Sequence, residues 1–423
     1  MKLDNLKIVT TILVVFISMQ SHAINNNKSN NSLSVLTQKT ILKENNVVDG
    51  EYYGRSISID GDKALVSASS KGQDDLIVSV GKGAVFAYRK INDTWVLEDM
   101  LEASDAMNWD SFGNAISIDN DRVMIGAFRK NNLAGAVYVF EYNSTANQWI
   151  QVQKLIPNDT SQSNDFFGSS IILRGDTAFI GASLTNNAVS TSGSVYVYKL
   201  INGVWTQSQE MFANPEINYD YFGNYLAFSN GRLFVSSIGI AHDGAVHVFE
   251  ENNGQWTHKD KITAPDSGTK DYFGSSLYAF GDRVFIGARN VEQAGIVNVG
   301  AVYIFDYDNN NSNWNMTTKI LPQNPSENLF FSYSLLANGD NLYISALYTD
   351  DISPNSGTIF HYKLGVSSVT YKDKFKMKVP SNRSRFGSYM TSFNNELWIS
   401  APSSGSGAVI IYENDVIFTN SFE

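Results

Sequence analysis

Acidic residues recur two positions ahead of an aromatic-glycine pair and are the first candidates for carboxylate chemistry. They are Asp110, Asp165, Asp220, Asp271 and Glu51. Positioned carboxylates can act as general acid and base. An enzyme, however, needs one asymmetric site, whereas a turn needs the same carboxylate to cap backbone N–H groups in every copy. The recurrence therefore favours a structural role.

Histidine is the other residue type here that could transfer protons. His247 and His361 fall within apolar segments where other copies carry Tyr or Val, so packing is their predicted role. His242 and His258 lie near no recurring Ser or Asp arrangement that would indicate a triad. The sequence contains no Cys, phosphate-binding Gly loop, HExxH pair or nucleophile elbow. We therefore expect no catalytic residues and predict that the protein is not an enzyme.

The segments that position these residues repeat seven times. Each copy opens with an aromatic residue and Gly or Ser, passes through an apolar stretch ending in Gly-Ala or Ser-Ala, and closes on Gly-Ala-Val-Tyr-Val-Phe or a variant. The openers are Tyr53-Gly54, Phe112-Gly113, Phe167-Gly168, Phe222-Gly223, Phe273-Gly274, Phe331-Ser332 and Phe386-Gly387. Consecutive openers lie 51 to 59 residues apart. Such a period indicates a solenoid, a propeller or an array.

Each copy contains four short strand patterns bounded by Gly, Asn and Asp, which we name A to D. In the third copy they cover Ser169 to Leu173, Ala178 to Ala182, Ser194 to Tyr198 and Trp205 to Met211. The A to B turn around Gly175 contains residues that tolerate the positive φ of a tight hairpin. The pattern therefore predicts antiparallel four-stranded sheets.

Strand B is apolar on both faces, as in Val123 to Ile125, so each sheet should be covered on both sides by neighbouring sheets. Radial stacking achieves this. Gly126, Gly181 and Gly287 suit places where neighbouring sheets approach closely. The fold class predicted is all-β: a seven-bladed β-propeller of four-stranded antiparallel blades.

The seventh copy, from Phe386 through Tyr412, lacks a good strand D. The segment Val35 to Leu42 resembles strand D but has no A, B and C of its own. We predict that this N-terminal strand completes the seventh blade and closes the ring. The alternative is that Val416 to Phe422 occupies that place.

The first residues have the pattern of a secretory signal peptide. Lys2 and Lys7 precede an apolar run from Ile8 to Ile17, which is shorter than a bilayer requires, and Ala23 ends a cleavage motif of small residues. The predicted organisation is a signal peptide at 1–23, a flexible Asn/Ser-rich lead at 24–32, a propeller at 33–412 and a tail at 413–423. We expect an exported bacterial protein, secreted or attached to the cell surface, with no transmembrane segment in the mature chain.

The sequence of opener, Val-Phe-Ile-Gly-Ala, Gly-Ala-Val-Tyr-Ile-Phe and Trp-led strand resembles the FG-GAP repeat family over residues 33 to about 412. This family includes the propeller of integrin α subunits. The resemblance is to an exported bacterial variant with short A to B turns. It implies ligand binding by the face that carries the variable loops.

Metal binding does not carry over with the resemblance. Integrin-type repeats hold calcium in an Asp-x-Asp-x-Asp-Gly loop between strands A and B, because a hard cation needs several converging oxygens. That loop is two or three residues long here, so we expect no cofactor. The alternative calcium site is the turn from Asp306 to Asn310, for which a polar turn is the simpler interpretation.

Binding residues are expected where the repeats differ. The short A to B and C to D turns share one face, so the variable B to C and D to A loops share the other. The candidate contacts are Trp109, Tyr219, Tyr348, Asp350 and Asp351. The formal charge of −11 and the absence of a basic run argue against nucleic acid.

The leading functional prediction is a non-catalytic monomer whose variable-loop face recognises a protein or a cell surface, as in adhesion. One alternative is a glycan-binding propeller with repeated pockets between blades, and a second is an extracellular hydrolase or lyase. Repeated equivalent pockets would favour sugar, and a single patch would favour protein.

Overall fold

The structure is a computed structural model that describes residues 36–44, 50–71, 81–158, 164–187, 189–239, 243–266, 268, 270–351, 353–366, 368–378 and 383–414. The predicted signal peptide and lead, His242 and residues 415–423 of the predicted tail lie outside these ranges. Within them, no helix has the length and apolar character needed to cross a membrane.

The described strands form seven four-stranded antiparallel sheets, which are the blades of a propeller. Blade 1 contains β2 (Tyr53–Asp60), β3 (Lys63–Ala68), β4 (Ala84–Ile91) and β5 (Thr94–Leu101). Blade 2 contains β6 (Ile116–Asp119), β7 (Arg122–Ala127), β8 (Ala136–Asn143) and β9 (Gln148–Leu155), with the four-residue turn α1 (Lys130–Leu133) before β8. Blade 3 contains β10 (Phe167–Arg174), β11 (Thr177–Ala182), β12 (Ser194–Ile201) and β13 (Val204–Met211).

The remaining blades repeat this arrangement. Blade 4 contains β14 (Leu226–Ser229), β15 (Arg232–Ser237), β16 (Ala245–Asn252) and β17 (Gln255–Ile262). Blade 5 contains β18 (Phe273–Phe280), β19 (Arg283–Ala288), β20 (Ala301–Asp308) and β21 (Asn313–Ile320). Blade 6 contains β22 (Leu335–Asn338), β23 (Asn341–Ala346), β24 (Thr358–Leu364) and β25 (Val369–Phe375). Blade 7 contains β26 (Met390–Phe393), β27 (Glu396–Ala401), β28 (Ala408–Asn414) and β1 (Leu36–Leu42).

The seven A strands surround the centre of the ring. Each contacts the A strand of the next blade, and β26 contacts β2. Strand B lies between two neighbouring sheets, and five of the six residues of β7 are buried, which explains why its sequence is apolar on both faces. The predicted seven-bladed all-β propeller is confirmed.

The Trp residues that begin the D strands join neighbouring blades. Trp256 packs edge-on against Phe179 of strand B in the preceding blade, with ring centroids 4.8 Å apart. Trp314 contacts Phe234 in the same way at 5.2 Å. These edge-to-face contacts bury Trp256 and partly bury Trp314 although strand D is the outermost strand.

The glycines of the Gly-Ala pairs occupy points of close contact between blades, as predicted. A Cβ on Gly126 would lie 2.1 Å from the carbonyl oxygen of Gly168, and one on Gly181 would lie 2.2 Å from that of Gly223. No other residue fits these positions without displacing the backbone of the next blade.

The N-terminal strand closes the ring, as predicted. β1 pairs antiparallel with β28, with Leu42 opposite Val409 and Thr37 opposite Glu413. Val35 and the alternative closing segment at 416–422 lie outside the described residues. The first and last strands of the propeller therefore share one blade.

A buried carboxylate lies at the seam between blades 7 and 1. Glu396 is 4% exposed and accepts hydrogen bonds through Oε1 from Lys39 (3.0 Å) and Lys90 (2.9 Å). Through Oε2 it accepts bonds from the indoles of Trp95 (2.9 Å) and Trp398 (3.2 Å). Those two rings also contact each other edge-to-face at 5.0 Å. One side chain thus joins β1, blade 1 and blade 7.

Candidate functional site

The centre of the ring contains a cavity of about 670 Å³, a volume typical of ligand sites. It is lined by the A strands and by residues of the variable loops, including Phe128, Phe166 and Ser183. We call the face formed by the B to C and D to A loops the loop face, and the loop-side end of the cavity its mouth. The cavity lining includes residues of all seven blades and differs in sequence around the ring.

The polar groups of the cavity are hydroxyls, amides and one guanidinium. The polar lining residues are Arg55, Ser56, Asn114, Ser169, Ser170, Ser183, Asn224, Tyr225, Ser276, Tyr278, Tyr333, Ser334, Ser388, Tyr389, Thr391 and Ser392. No Asp, Glu, His or Lys occurs among the lining residues that the structure describes. The wall therefore offers hydrogen-bond donors and one positive charge.

Tyrosines of the cavity stay protonated over the physiological pH range. Burial, with Tyr389 nearby, raises the pKa of Tyr278 to about 12. Burial likewise raises the pKa of Tyr389. These phenols are neutral donors and cannot serve as bases near neutral pH.

The backbone of the loop face repeats in all seven blades. The third and first residues before each opening aromatic, and the residue after it, have positive φ. The third residues before it are Gly50, Trp109, Asn164, Tyr219, Lys270, Asn328 and Arg383. The first residues before it are Tyr52, Ser111, Phe166, Tyr221, Tyr272, Phe330 and Arg385. Non-glycine residues rarely adopt this conformation, so its recurrence marks a loop path that the fold imposes.

Two of the predicted contacts occupy equivalent positions in this array. Trp109 and Tyr219 stand third before the openers of blades 2 and 4, and are 53% and 48% exposed. Their rings are presented on the loop face by the same backbone conformation. Their role in binding stays a prediction.

The other three predicted contacts share the B to C loop of blade 6. Tyr348 contacts Phe330 edge-on at 5.2 Å. Asp350 accepts the N–H of Asn355 at 2.8 Å, which stabilises the loop itself. Asp351 bonds Lys374 Nζ at 2.9 Å; burial opposes its ionisation, but hydrogen bonds from Lys374 and Lys376 lower its pKa. Both acids thus form bonds within the blade, and Tyr348 is the residue of this group whose ring contacts other side chains of the loop face.

Sequence reasoning missed the aromatic and arginine residues around the mouth. Phe128 packs on Phe166 at 4.9 Å, Arg289 lies over Tyr272 at 5.2 Å, and Arg385 lies over the ring of Tyr348 at 5.9 Å. The aromatic doublets Tyr52-Tyr53, Phe166-Phe167, Tyr221-Phe222, Tyr272-Phe273 and Phe330-Phe331 were a visible signal. The first member of each doublet belongs to the loop face, and the second is buried between blades.

The recurring acids stabilise the loops, as the sequence predicted. Asp110 Oδ2 accepts the N–H of Met107 at 2.7 Å and the ammonium of buried Lys130 at 2.8 Å. Asp271 Oδ2 accepts the N–H of Gly268 at 2.7 Å, although burial raises its pKa. The backbone carbonyls of all five acids accept an N–H from the following B to C loop. Each acid therefore connects the two loops of its blade.

The strand C histidines are buried, as predicted for packing residues. His247 Nδ1 lies 3.0 Å from His258 Nε2, and burial, followed by the nearby His258, lowers the pKa of His247 to about 3. His361 lies between Asp373 Oδ1 and Asn341 Oδ1, each at 2.9 Å. The pairing of His247 with His258 was not foreseen. Neither pair lines the central cavity.

The carboxylates of the alternative calcium turn form an ion pair and hydrogen bonds with nearby residues of the same chain. Asp306 forms a bidentate ion pair with Arg283 at 2.5 and 2.9 Å. Asp308 accepts the N–H of Asn310 at 2.9 Å and the amide of Asn311 at 2.6 Å. This geometry is the polar turn that the sequence favoured.

Comparison with solved structures supports the architecture. The chain is similar to Sqt1 of Saccharomyces cerevisiae, with 10% identity, a TM-score of 0.52 and coverage of 90% of this chain and 99% of that chain. It is also similar to PpgL, a periplasmic gluconolactonase of Pseudomonas aeruginosa, with 14% identity, a TM-score of 0.52 and coverage of 77% and 86%. At these identities the likeness shows the fold alone. No curated protein matches the chain significantly.

The sequence profile of the FG-GAP repeat matches residues 95–140, 149–198 and 256–305. Each match begins at the Trp of a strand D, crosses the loop face and ends in strand C of the next blade. The matched unit is therefore the same sequence period that the seven openers define. Together with the ring of seven blades, these three matches support an FG-GAP repeat propeller.

Proposed function

We propose that this chain is an exported, non-catalytic binding protein that recognises a protein or a cell surface through its loop face. The observation that carries the proposal is the central cavity. It is a single concave site, it reaches the variable loops, and its described lining has donors but no carboxylate or imidazole. Such a site can hold a ligand but offers no group to abstract a proton near neutral pH.

Two serines of the cavity donate their hydroxyl protons to backbone carbonyls rather than to a base. Ser170 Oγ donates to the carbonyl of Gly223 at 2.7 Å, and Ser276 Oγ donates to that of Ser332 at 2.6 Å. A nucleophilic serine would instead donate to a base. This bonding weighs against the hydrolase alternative and in favour of binding.

The asymmetry of the mouth favours a protein over a repeated sugar site. Ser111 and Arg385 interrupt the sequence of aromatics at the position before the openers. The site that the geometry supports is one central patch with different side chains from each blade. A protein surface, whose side chains also differ from point to point, complements such a patch better than a glycan made of repeated units does.

The test is binding of the purified chain to arrays of extracellular proteins and of glycans. The loop-face variant is Trp109→Asn with Tyr219→Asn, which removes both rings but keeps a residue that tolerates positive φ, as Asn164 and Asn328 do at the equivalent positions. The control is Phe280→Asn, which removes an aromatic ring that is 49% exposed at the opposite face.

We expect saturable binding to a protein that the loop-face variant loses and the control retains. Binding that all three chains share would contradict recognition by the loop face. Specific binding to a defined glycan would replace the proposal with the lectin alternative. Turnover of a lactone or ester by the purified chain would show that it is an enzyme.

A further inference from the structure

The arginines of this chain divide into two groups by face. Near the A to B and C to D turns, four of five have carboxylate partners among the described residues. These are Arg89 with Asp62 and Glu98, Arg122 with Glu141, Arg232 with Glu250 and Asp282, and Arg283 with Asp306. On the loop face, Arg55, Arg129, Arg289, Arg383 and Arg385 have no carboxylate within 4.0 Å in the part of the chain that the structure describes. These five guanidinium groups therefore lack a direct carboxylate partner among the described residues, although the net charge of the protein is −11.

Three of these loop-face arginines lie against aromatic rings. The guanidinium carbons of Arg289 and Arg129 lie 5.2 and 5.3 Å from the centroids of Tyr272 and Phe128. Arg385 lies 5.9 Å from the centroid of Tyr348, and its Nε is buried without a hydrogen-bond partner in the described residues. A guanidinium held against a ring keeps its N–H edges available for a carboxylate.

Arginines of three blades lie at positions that border the cavity, since Arg289 of blade 5 and Arg385 of blade 7 are the counterparts of Ser183 and Phe166, which line it in blade 3. Arg55 of blade 1 lines it directly. Arg289 of blade 5 and Arg55 both act electrostatically on the phenol of Tyr225 in blade 4, where burial raises the pKa and the two arginines oppose that rise. The mouth is therefore positive from more than one side, and its described lining contains no acid to cancel that charge.

We infer that the mouth of the cavity binds a carboxylate-bearing segment of a partner protein, meaning an acidic peptide that inserts Asp or Glu side chains among Arg55, Arg289 and Arg385. This inference rests on the proposed function and specifies the chemistry of its ligand. A peptide is favoured over an acidic sugar at these arginines because the rings beside them, those of Tyr272 and Tyr348, are already contacted by guanidinium groups. A sugar ring would need such a face free for stacking.

The test measures fluorescence anisotropy of labelled hexaglutamate with the full chain at low and physiological salt. The variant is Arg55→Gln with Arg289→Gln. The matched control is Arg122→Gln with Arg232→Gln, which removes two arginines of the opposite face. Thermal melting of each chain establishes that the variants are folded. A uronate oligomer of six residues serves as the competing probe.

We expect saturable binding of hexaglutamate that weakens with salt, falls at least about tenfold in the mouth variant and is unchanged in the control. No saturable binding, or equal binding by a folded mouth variant, would overturn the inference. Tighter binding of the uronate oligomer would assign the site to an acidic sugar instead. If the chain does not bind hexaglutamate but binds an arrayed protein, and that binding requires Trp109 and Tyr219, the inferred acidic ligand is refuted and the proposed function stands. Binding of hexaglutamate without any loop-face-dependent protein partner would refute the proposed function.

Discussion

Replacing Glu396 by Gln should loosen the seam between blades 7 and 1. The amide has one acceptor oxygen, so it can serve the two indoles or the two ammonium groups, but not both pairs. If the oxygen faces Trp95 and Trp398, the charge-assisted bonds from Lys39 and Lys90 are lost. Both lysine side chains are 20% exposed, so we assign each lost hydrogen bond a value at the low end of the range for bonds to charged groups, about 1.5 kcal/mol.

The two lost bonds give a decrease of about 3 kcal/mol in the free energy of unfolding. Near 60 °C the entropy of unfolding of roughly 380 residues is about 0.8 kcal/mol/K, so the melting temperature should fall by about 4 °C. The control is Glu141→Gln, where a 46% exposed carboxylate pairs with Arg122, and a change of no more than about 1 °C is expected. Calorimetry at neutral pH measures both.

The pH dependence tests the electrostatic reasoning. Burial opposes ionisation of Glu396, but bonds from Trp95, Lys90 and Lys39 outweigh it and lower its pKa below 4.5. The carboxylate therefore stabilises the native chain fully above pH 4.5 and loses that effect as pH falls through the lower native pKa. The gap between wild type and Glu396→Gln should close in acid. A gap no larger than that of Glu141→Gln, or one that widens in acid, would refute the role assigned to this carboxylate.

Other substitutions test the packing and the closure. Gly126→Ala should lower the free energy of unfolding by about 3 kcal/mol in denaturant titrations, because its Cβ would lie 2.1 Å from a backbone oxygen of the next blade. Gly175→Ala, with no atom within 4 Å of its Cβ, should cost about 1 kcal/mol for its positive φ alone. Ser332→Gly should raise the melting temperature, since Ser332 holds φ of 90° at a position where six blades have Gly. The free energy of unfolding of His247→Tyr, relative to that of the wild type, should rise by about 2 kcal/mol when the pH is lowered from 7.5 to 5. The reason is that the unfolded wild-type chain protonates His247 below pH 6.5, whereas the native chain does so only near pH 3. A chain that begins at residue 47 should lose cooperative melting, and an unchanged transition would show that β1 is dispensable.

The sequence predicted those features that depend on interactions within one blade or between two adjacent blades, because these interactions recur in every copy. The Gly-Ala pairs, the tight turns and the missing strand D each reflect one blade or one interface, so the ring and its closing strand could be predicted. The mouth could not, because Arg55, Arg289 and Arg385 are far apart in sequence and come to border one cavity only when the ring is closed. The contact of His247 with His258 was not predicted from the sequence for another reason. It depends on the bulge that shifts the register between Val248 and Phe249.

The pairing of β1 with β28 also has a consequence for biosynthesis. The first strand to leave the ribosome must wait for the last, because Leu42 is opposite Val409. Until then, the outer edge of blade 7 and the indole of Trp95 have no partners, and a prematurely terminated chain exposes apolar surface to quality control. Ring closure therefore depends on strands from both ends of the propeller, and a chain that ends before β28 leaves β1 without its partner strand. Such long-range pairing also predicts that the final folding step is slow compared with formation of a single blade.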